Sequence, residues 1–198
     1  MKTNARFFPL FSLALILALT ATGIAPAAPA YATALVVNSL NDVDDGTCNG
    51  THCSLREAID DANTLVSDDI ITFSVSGTIP LASILPTIAN NGTLTINGGN
   101  NITISGDTDG NNVGDVQILS VALNATLTLQ NLTVTRGMES TTGGGAIYSN
   151  GHLTIQNSTV SNSTTTAAAG GGGGVKMDGG GATLTIANNS TFSGNSST

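Results

Sequence analysis

The sequence repeats itself, and this repetition limits the fold of the chain more than any other feature. Four similar segments occur, at 93–106, 126–137, 152–163 and 183–195. Their leading leucines are separated by 33, 26 and 31 residues. Repeats of this length are typical of solenoids, in which each unit buries its apolar face only by stacking on its neighbours.

Within each repeat, apolar residues alternate with Thr or Ser, as Leu127 and Leu129 do in "TLTLQNLTVTRG". This period of two predicts strands with one buried face. Two further short strands are predicted in "GGGAIYSNG" (143–151) and "GGGVKMDGG" (172–180). There, Ile147 and Val175 are expected to point inward, and their neighbours Tyr148 and Lys176 to face solvent.

An Asn interrupts the alternation in three repeats, at Asn131, Asn157 and Asn189. Asn adopts the left-handed backbone conformation more readily than most residues. We therefore predict a sharp structural corner at each of the three. In stacked coils the amides of such corners would hydrogen-bond to one another.

About 30 residues, three short strands and three bends form one coil of a right-handed parallel β-helix, whose coils stack roughly 4.8 Å apart. The predicted fold class is therefore all-β, a right-handed parallel β-helix with a short N-terminal capping α-helix. A β-sandwich is the alternative, but it does not explain why the corner Asn recurs.

The capping helix is predicted in "CSLREAIDDAN". Ser54 and Glu57 match a capping box, so the helix should begin at the next residue after Ser54. We expect Arg56 to pair with Asp60 on its outer face. Its apolar stripe, at helical spacing, would cover the open end of the first coil: Leu55, Ala58, Ile59 and Ala62.

The N-terminus has the pattern of a secretory signal peptide. Lys2 and Arg6 precede an apolar run, and "AYA" ends the segment 1–32. A retained membrane anchor is the alternative, but the run is shorter than the ~20 residues that a span needs. No membrane span is expected beyond it. The predicted organisation is then a cap at 33–69 and coils at 70–198.

The two cysteines, Cys48 and Cys53, are close in sequence, and in an exported chain they predict one disulfide. A zinc site is the alternative, but only His52 lies nearby as a further ligand. His52 and His152 lack partners in the sequence and are interpreted as ordinary surface residues.

Charge excludes one class of partner. All 13 acidic residues lie beyond residue 32, where the only basic residues are Arg56, Arg136 and Lys176. Such a chain repels phosphate backbones, so nucleic-acid binding is not expected.

Several stretches resemble bacterial secreted proteins that carry a CSLREA motif. These are "VVNSLNDVDDGTC", "CSLREAIDDAN", "DDIITFSVSGTIPL" and "LPTIANNGTLTINGG". The following repeats, with "GGAIY", "LTIQNSTVS" and "FSGN", are similar to the β-helices of pectate-lyase-like and polymorphic outer-membrane proteins. The resemblance covers roughly residues 34–198. It implies an exported or surface-attached bacterial β-helix, and it carries over no agreed catalytic residues.

Catalytic residues are not evident from the sequence. Polysaccharide-cleaving β-helices need clustered carboxylates, or acid–base pairs, beside a basic residue. Here Glu139 and Asp178 lie in predicted turns, and Arg136 and Lys176 are the only bases nearby. We predict a non-enzymatic protein for adhesion or surface display, with extracellular carbohydrate or surface components as its partners. A carbohydrate-binding or carbohydrate-degrading β-helix is the alternative.

"DTDGNNVGD" is the best candidate for a metal site. Asp107, Asp109, Asn111 and Asp115 occupy positions 1, 3, 5 and 9, the oxygen-ligand spacing of calcium loops. The match is partial, because Asn112 replaces the usual Gly and no Glu follows at position 12. An acidic turn without metal is the alternative.

The last repeat suggests one further expectation. No helix or charged cap follows Leu184, Ile186 and Phe192. An open coil exposes strand edges that template pairing. We expect this edge to pair with further coils or with another chain.

Overall fold

The chain forms a parallel β-solenoid of about four turns. The structure, a computed structural model, describes residues 33–168 and 170–198. The predicted signal peptide, 1–32, lies outside the described residues. Every strand pairing in the described chain is parallel, which confirms the predicted β-helix and excludes an antiparallel sandwich.

Fifteen strands and one helix follow one another along the described residues. In chain order they are β1 (Thr33–Val37), α1 (Leu55–Thr64), β2 (Asp69–Phe73), β3 (Gly77–Pro80), β4 (Thr93–Ser105), β5 (Leu119–Val121), β6 (Thr126–Thr135), β7 (Met138–Glu139), β8 (Ile147–Ser149), β9 (His152–Gln156), β10 (Thr159–Ser161), β11 (Thr164–Thr165), β12 (Val175–Met177), β13 (Thr183–Ala187), β14 (Thr191–Ser193) and β15 (Ser196–Ser197).

Three parallel sheets run along the solenoid. The largest has the order β1-β2-β4-β6-β10-β14, with β3 paired to β4 and with β9 paired to both β6 and β13. The second contains β5, β8 and β12, and the third contains β7, β11 and β15. Because β1 shares a sheet with β2, the segment 33–69 is continuous with the coils.

Equivalent residues of successive coils stack directly above one another. The register pairs Leu94 with Leu127, Leu127 with Leu153, and Leu153 with Leu184. Leu94, Leu127 and Leu153 are buried, and the burial of each side chain stabilises the fold by about 1.5–3 kcal/mol. Leu184 is 38% exposed, since β13 pairs only with β9 among the described strands. Ile186 and Phe192 on the same coil are also exposed.

Asn residues in the left-handed conformation form two of the predicted corners. Asn131 has φ 56° and Asn157 has φ 47°. Nδ2 of Asn131 donates to Oδ1 of Asn97 at 2.9 Å, and Nδ2 of Asn157 donates to Oδ1 of Asn131 at 2.8 Å. The amides of these two corners and of Asn97 therefore form a hydrogen-bonded ladder through three coils.

The prediction of Asn189 as the third corner is wrong by one residue. The register pairs Ala187 of β13 with Gln156 of β9. The residue that corresponds to Asn157 is consequently Asn188, and it is Asn188 that has the positive φ, 54°. Asn189 is the extra residue before the next strand.

Helix α1 has the predicted start and cap. The Glu57 backbone N–H donates to Ser54 Oγ at 3.2 Å, and the Ser54 backbone N–H donates to Glu57 Oε2 at 2.8 Å. The helix contacts β1 and β2 and joins the hydrophobic core through its predicted stripe of four apolar side chains: Leu55, Ala58, Ile59 and Ala62. It therefore covers the core at the first strands.

The predicted pairing of Arg56 with Asp60 is wrong. Nε and Nη2 of Arg56 donate to the two carboxylate oxygens of Asp42, at 3.1 and 2.7 Å. The guanidinium also donates to the carbonyls of Ser83 and Ile84. This arrangement satisfies the planar fork of Arg better than one helical neighbour can, and it leaves the side chain only 14% exposed.

Two further features are the pairing of the two cysteines and the length of the helix. Cys48 and Cys53 form the predicted disulfide, with their Cα atoms 4.2 Å apart. Among the described residues, α1 is too short and too polar to cross a membrane, and no other helix is present there.

Candidate functional site

An open groove of about 320 Å³ crosses the outer face of the largest sheet. Its floor is a row of threonines on β3, β4, β6 and β10, which we call the Thr row: Thr78, Thr103, Thr133 and Thr159. Each neighbours a buried apolar residue, such as Ile104 beside Thr103 and Val134 beside Thr133. Because side chains alternate along a strand, the burial of these neighbours turns the Thr hydroxyls outward.

An insertion in the first repeat forms one wall of the groove. Asn131 alone separates the two halves of β6, whereas four residues, 98–101, separate the two halves of β4. A Cβ on Gly98 would lie 2.6 Å from Cβ of Leu132, so only Gly fits beneath the bulge. Asn157 Nδ2 donates to Asn100 Oδ1 at 3.1 Å, which ties the insertion to the ladder.

The groove is neutral and rich in hydroxyl and amide groups. Of the described residues that line it, none is acidic or basic. Thr hydroxyls and Asn amides each offer both donors and acceptors. The groove therefore suits a neutral, hydroxyl-rich ligand, and its lining provides no carboxylate, imidazole or amine for acid–base catalysis.

The predicted calcium loop brings three of its four residues together. Carboxylate oxygens of Asp107, Asp109 and Asp115 all lie within 4.8 Å of one another. Asn111 instead directs Nδ2 at Asp109 Oδ2, 2.9 Å away, and its Oδ1 accepts the Val113 N–H.

Hydrogen bonds within the loop already occupy its carboxylates. Asp107 is buried and accepts the backbone N–H groups of Gly110 and Asn112. Asp115 accepts the Thr108 backbone N–H and hydroxyl, and the backbone bond is the main reason that the pKa of Asp115 is lowered. Calcium binding at this loop stays a prediction.

Glu139, one of the carboxylates considered for catalysis, is held in its ionised form. Burial raises its pKa, but hydrogen bonds from Thr141, Thr142 and Gly143 outweigh this effect and lower the pKa from 4.5 to about 2. A carboxylate with so low a pKa is a poor general acid near neutral pH.

The other three polar candidates form surface contacts, and two of them, Asp178 and Lys176, are paired. Asp178 accepts the Tyr148 hydroxyl at 2.9 Å, and this bond raises the pKa of Tyr148. Lys176 Nζ donates to the Thr142 carbonyl and lies 3.8 Å from Asp178. Arg136 donates to Asn112 Oδ1 at 2.8 Å, which braces the loop 107–115.

His52, interpreted as an ordinary surface residue, has neighbours in the fold that the sequence does not show. Its Nδ1 lies 3.2 Å from Asp45 Oδ2 and 3.1 Å from Glu57 Oε2, while its Nε2 lies 3.0 Å from Asn41 Oδ1. The loop 39–47 folds back over the helix start and brings these groups together. His152 also has a partner, since its Nδ1 lies 2.9 Å from the Thr183 hydroxyl.

Comparison with known proteins gives no assignment. No family model matches the chain, and neither the curated proteins nor the solved structures include a match.

Proposed function

We propose that this protein is a secreted, non-enzymatic binding protein that adheres to surfaces through the groove above the Thr row. The main support is the groove itself, whose neutral hydroxyls and amides are set in register by the parallel coils. Stacked coils repeat the same groups about every 4.8 Å along the solenoid axis. A regular, extended ligand would meet the same chemistry at each step.

Carbohydrate is the ligand class that this groove favours. Sugar hydroxyls both donate and accept hydrogen bonds, as do Thr103, Thr133 and the amides of Asn100 and Asn101. The described groove residues include no titratable group, and this supports binding over cleavage.

Two features support export. The segment 1–32 has the composition of a signal peptide, and the Cys48–Cys53 disulfide is typical of an oxidising compartment. Surface display on a bacterium is consistent with the CSLREA-like stretches.

Retention on insoluble polysaccharides tests the proposal. The purified protein is mixed with cellulose, chitin, pectate gel and bacterial cell walls, and the fraction left in solution is measured. Wild type should be depleted by at least one polymer. Thr133→Lys places a bulky cation in the groove and should abolish this depletion.

Thr154→Lys is the matched control. Thr154 faces outward from β9 in the same sheet, has the same half-buried environment, and lies outside the groove. It should bind as wild type does. Equal binding by both variants, or no retention of wild type on any polymer, would contradict the proposal.

A further inference from the structure

A cluster of three potential metal ligands lies at the N-terminus of α1, and none of the three lines the groove. Asp45, His52 and Glu57 each offer one ligand atom, and these three atoms all lie within 4.8 Å of one another. They come from three segments: the loop 39–47, the disulfide loop 48–53 and the first turn of the helix.

The hydrogen bond at Nε2 of His52 shows which nitrogen of the neutral ring carries the proton. Asn41 Oδ1 accepts the Val43 backbone N–H at 3.2 Å, which orients the Asn41 amide. Nε2 of His52, 3.0 Å from the same oxygen, must then be the donor. In the neutral ring, Nδ1 is then the unprotonated nitrogen, the one that a metal ion can bind. Metal-binding histidines typically donate their second N–H to a neighbouring oxygen in this way.

Nδ1 of His52 is a buried polar atom without a hydrogen bond. It lies 3.2 Å from Asp45 Oδ2 and 3.1 Å from Glu57 Oε2, yet neither oxygen lies in a direction that permits a hydrogen bond to Nδ1. A simple imidazolium–carboxylate pair would align one oxygen with the N–H. The observed geometry instead leaves three electron-rich atoms around a common point.

The spacing fits a small divalent cation. Tetrahedral Zn²⁺ with Zn–N and Zn–O bonds of about 2.0–2.2 Å places its ligand atoms roughly 3.3–3.5 Å apart. The two N···O distances are close to this range. A mixed imidazole and carboxylate set also favours Zn²⁺-like ions over Ca²⁺, which takes oxygen ligands.

The ligands are held in place before any ion binds. Glu57 Oε1 accepts the Asp45 N–H and Oε2 accepts the Ser54 N–H, both at 2.8 Å, and each oxygen keeps a second lone pair. His52 is fixed by the disulfide beside it and by the Asn49 side chain, which accepts its backbone N–H. Little ordering is left for the cation to impose.

Among the described residues, the surroundings of the cluster are acidic, and the basic residue of the helix already has a partner. Burial and then the charge of Asp44 raise the pKa of the nearby Asp60. Arg56, the basic residue of the helix, is already engaged by Asp42. A bound cation would relieve this excess negative charge.

We propose that Asp45, His52 and Glu57 form a binding site for a Zn²⁺-class divalent cation, with the remaining position open to water because Asp45 is half exposed. The site would lock the loop 39–47 onto the helix start.

Calorimetric titration of the chelator-treated, purified chain with ZnCl₂ tests this site. Wild type should show one saturable event. His52→Gln should weaken it at least about tenfold, the lower end of the losses seen even for outer-shell changes. His152→Gln, at the only other histidine, should leave the affinity unchanged.

Asp45→Asn provides a second variant, since the Asp45 side chain is half exposed and the folded state tolerates changes at such a position. It should also weaken binding while circular dichroism stays that of wild type. The absence of saturable binding, or equal affinities for His52→Gln and His152→Gln, would overturn the proposal. Unchanged affinity in Asp45→Asn would do the same.

Discussion

Replacement of Asn131 by Ala should destabilise the solenoid by about 3 kcal/mol. Asn131 lies in the middle of the amide ladder, where it donates to Asn97 and accepts from Asn157. Loss of two such hydrogen bonds removes about 2 kcal/mol. Ala at φ 56° adds about 1 kcal/mol of backbone strain, since residues other than Gly and Asn disfavour this conformation.

Asn124→Ala is the matched control. Asn124 also has a left-handed backbone, with φ 61°, but it is exposed and no side-chain hydrogen bond to it is seen in the described part of the chain. Its replacement should therefore cost only the backbone strain, about 1 kcal/mol.

Urea unfolding followed by circular dichroism gives both values, provided that the m-value is unchanged. The difference between the variants, about 2 kcal/mol, is the contribution of the ladder. Equal losses at the two positions would refute the ladder as a stabilising element.

Three further predictions concern charged groups. Because the pKa of Glu139 falls from 4.5 to about 2 on folding, its ionised carboxylate stabilises the folded state above pH 4.5, and this stabilisation disappears as the pH falls toward 2. Unfolding measured at several pH values should show the free energy of unfolding fall by up to about 3 kcal/mol, reduced by partial exposure, and Glu139→Gln should lack this decrease. Arg56→Lys keeps the charge but loses the planar fork that binds Asp42 and two carbonyls. Urea unfolding should therefore show the free energy of unfolding fall by about 2 kcal/mol. An unchanged unfolding midpoint would contradict a stabilising role for the Arg56 fork. If the loop 107–115 binds Ca²⁺, calorimetry should show weak, millimolar binding that Asp107→Asn removes, whereas identical heats for the two proteins would exclude the loop.

The fold could be predicted because its determinants are local and repeated. Leu127 and Leu129 define a strand face by themselves, and the recurrence of the same pattern at Leu153 requires stacking. The capping box of Ser54 and Glu57 involves residues three apart, so its geometry follows from helix formation alone. Such short-range rules act in the same way wherever the chain places them.

Contacts between distant segments could not be predicted in this way. Arg56 has a plausible partner four residues away, but its actual partner, Asp42, is 14 residues away, on a loop whose path no local pattern specifies. The cluster around His52 depends on the same loop. Without that path, a lone His between two cysteines carries little information.

The groove and the third corner depend on register. Residues 98–101 of "NGGNN" replace the single Asn131 of the next repeat, and this difference in length was visible in the sequence. Its consequence, a wall beside the Thr row, required the coil-to-coil alignment. The wrong prediction of Asn189 as a corner has the same origin, since only the pairing of Ala187 with Gln156 shows that Asn188 is the corner residue.

We propose that the groove binds polysaccharide without cleaving it, and a turnover measurement distinguishes binding from cleavage. The polymer that best retains the protein is incubated with it at neutral pH, and released reducing ends and unsaturated products are measured alongside bound protein. We predict saturable binding with product no greater than in a protein-free sample. Product that accumulates in proportion to protein and time, and that Thr133→Lys abolishes, would contradict the claim and identify the groove as an active site.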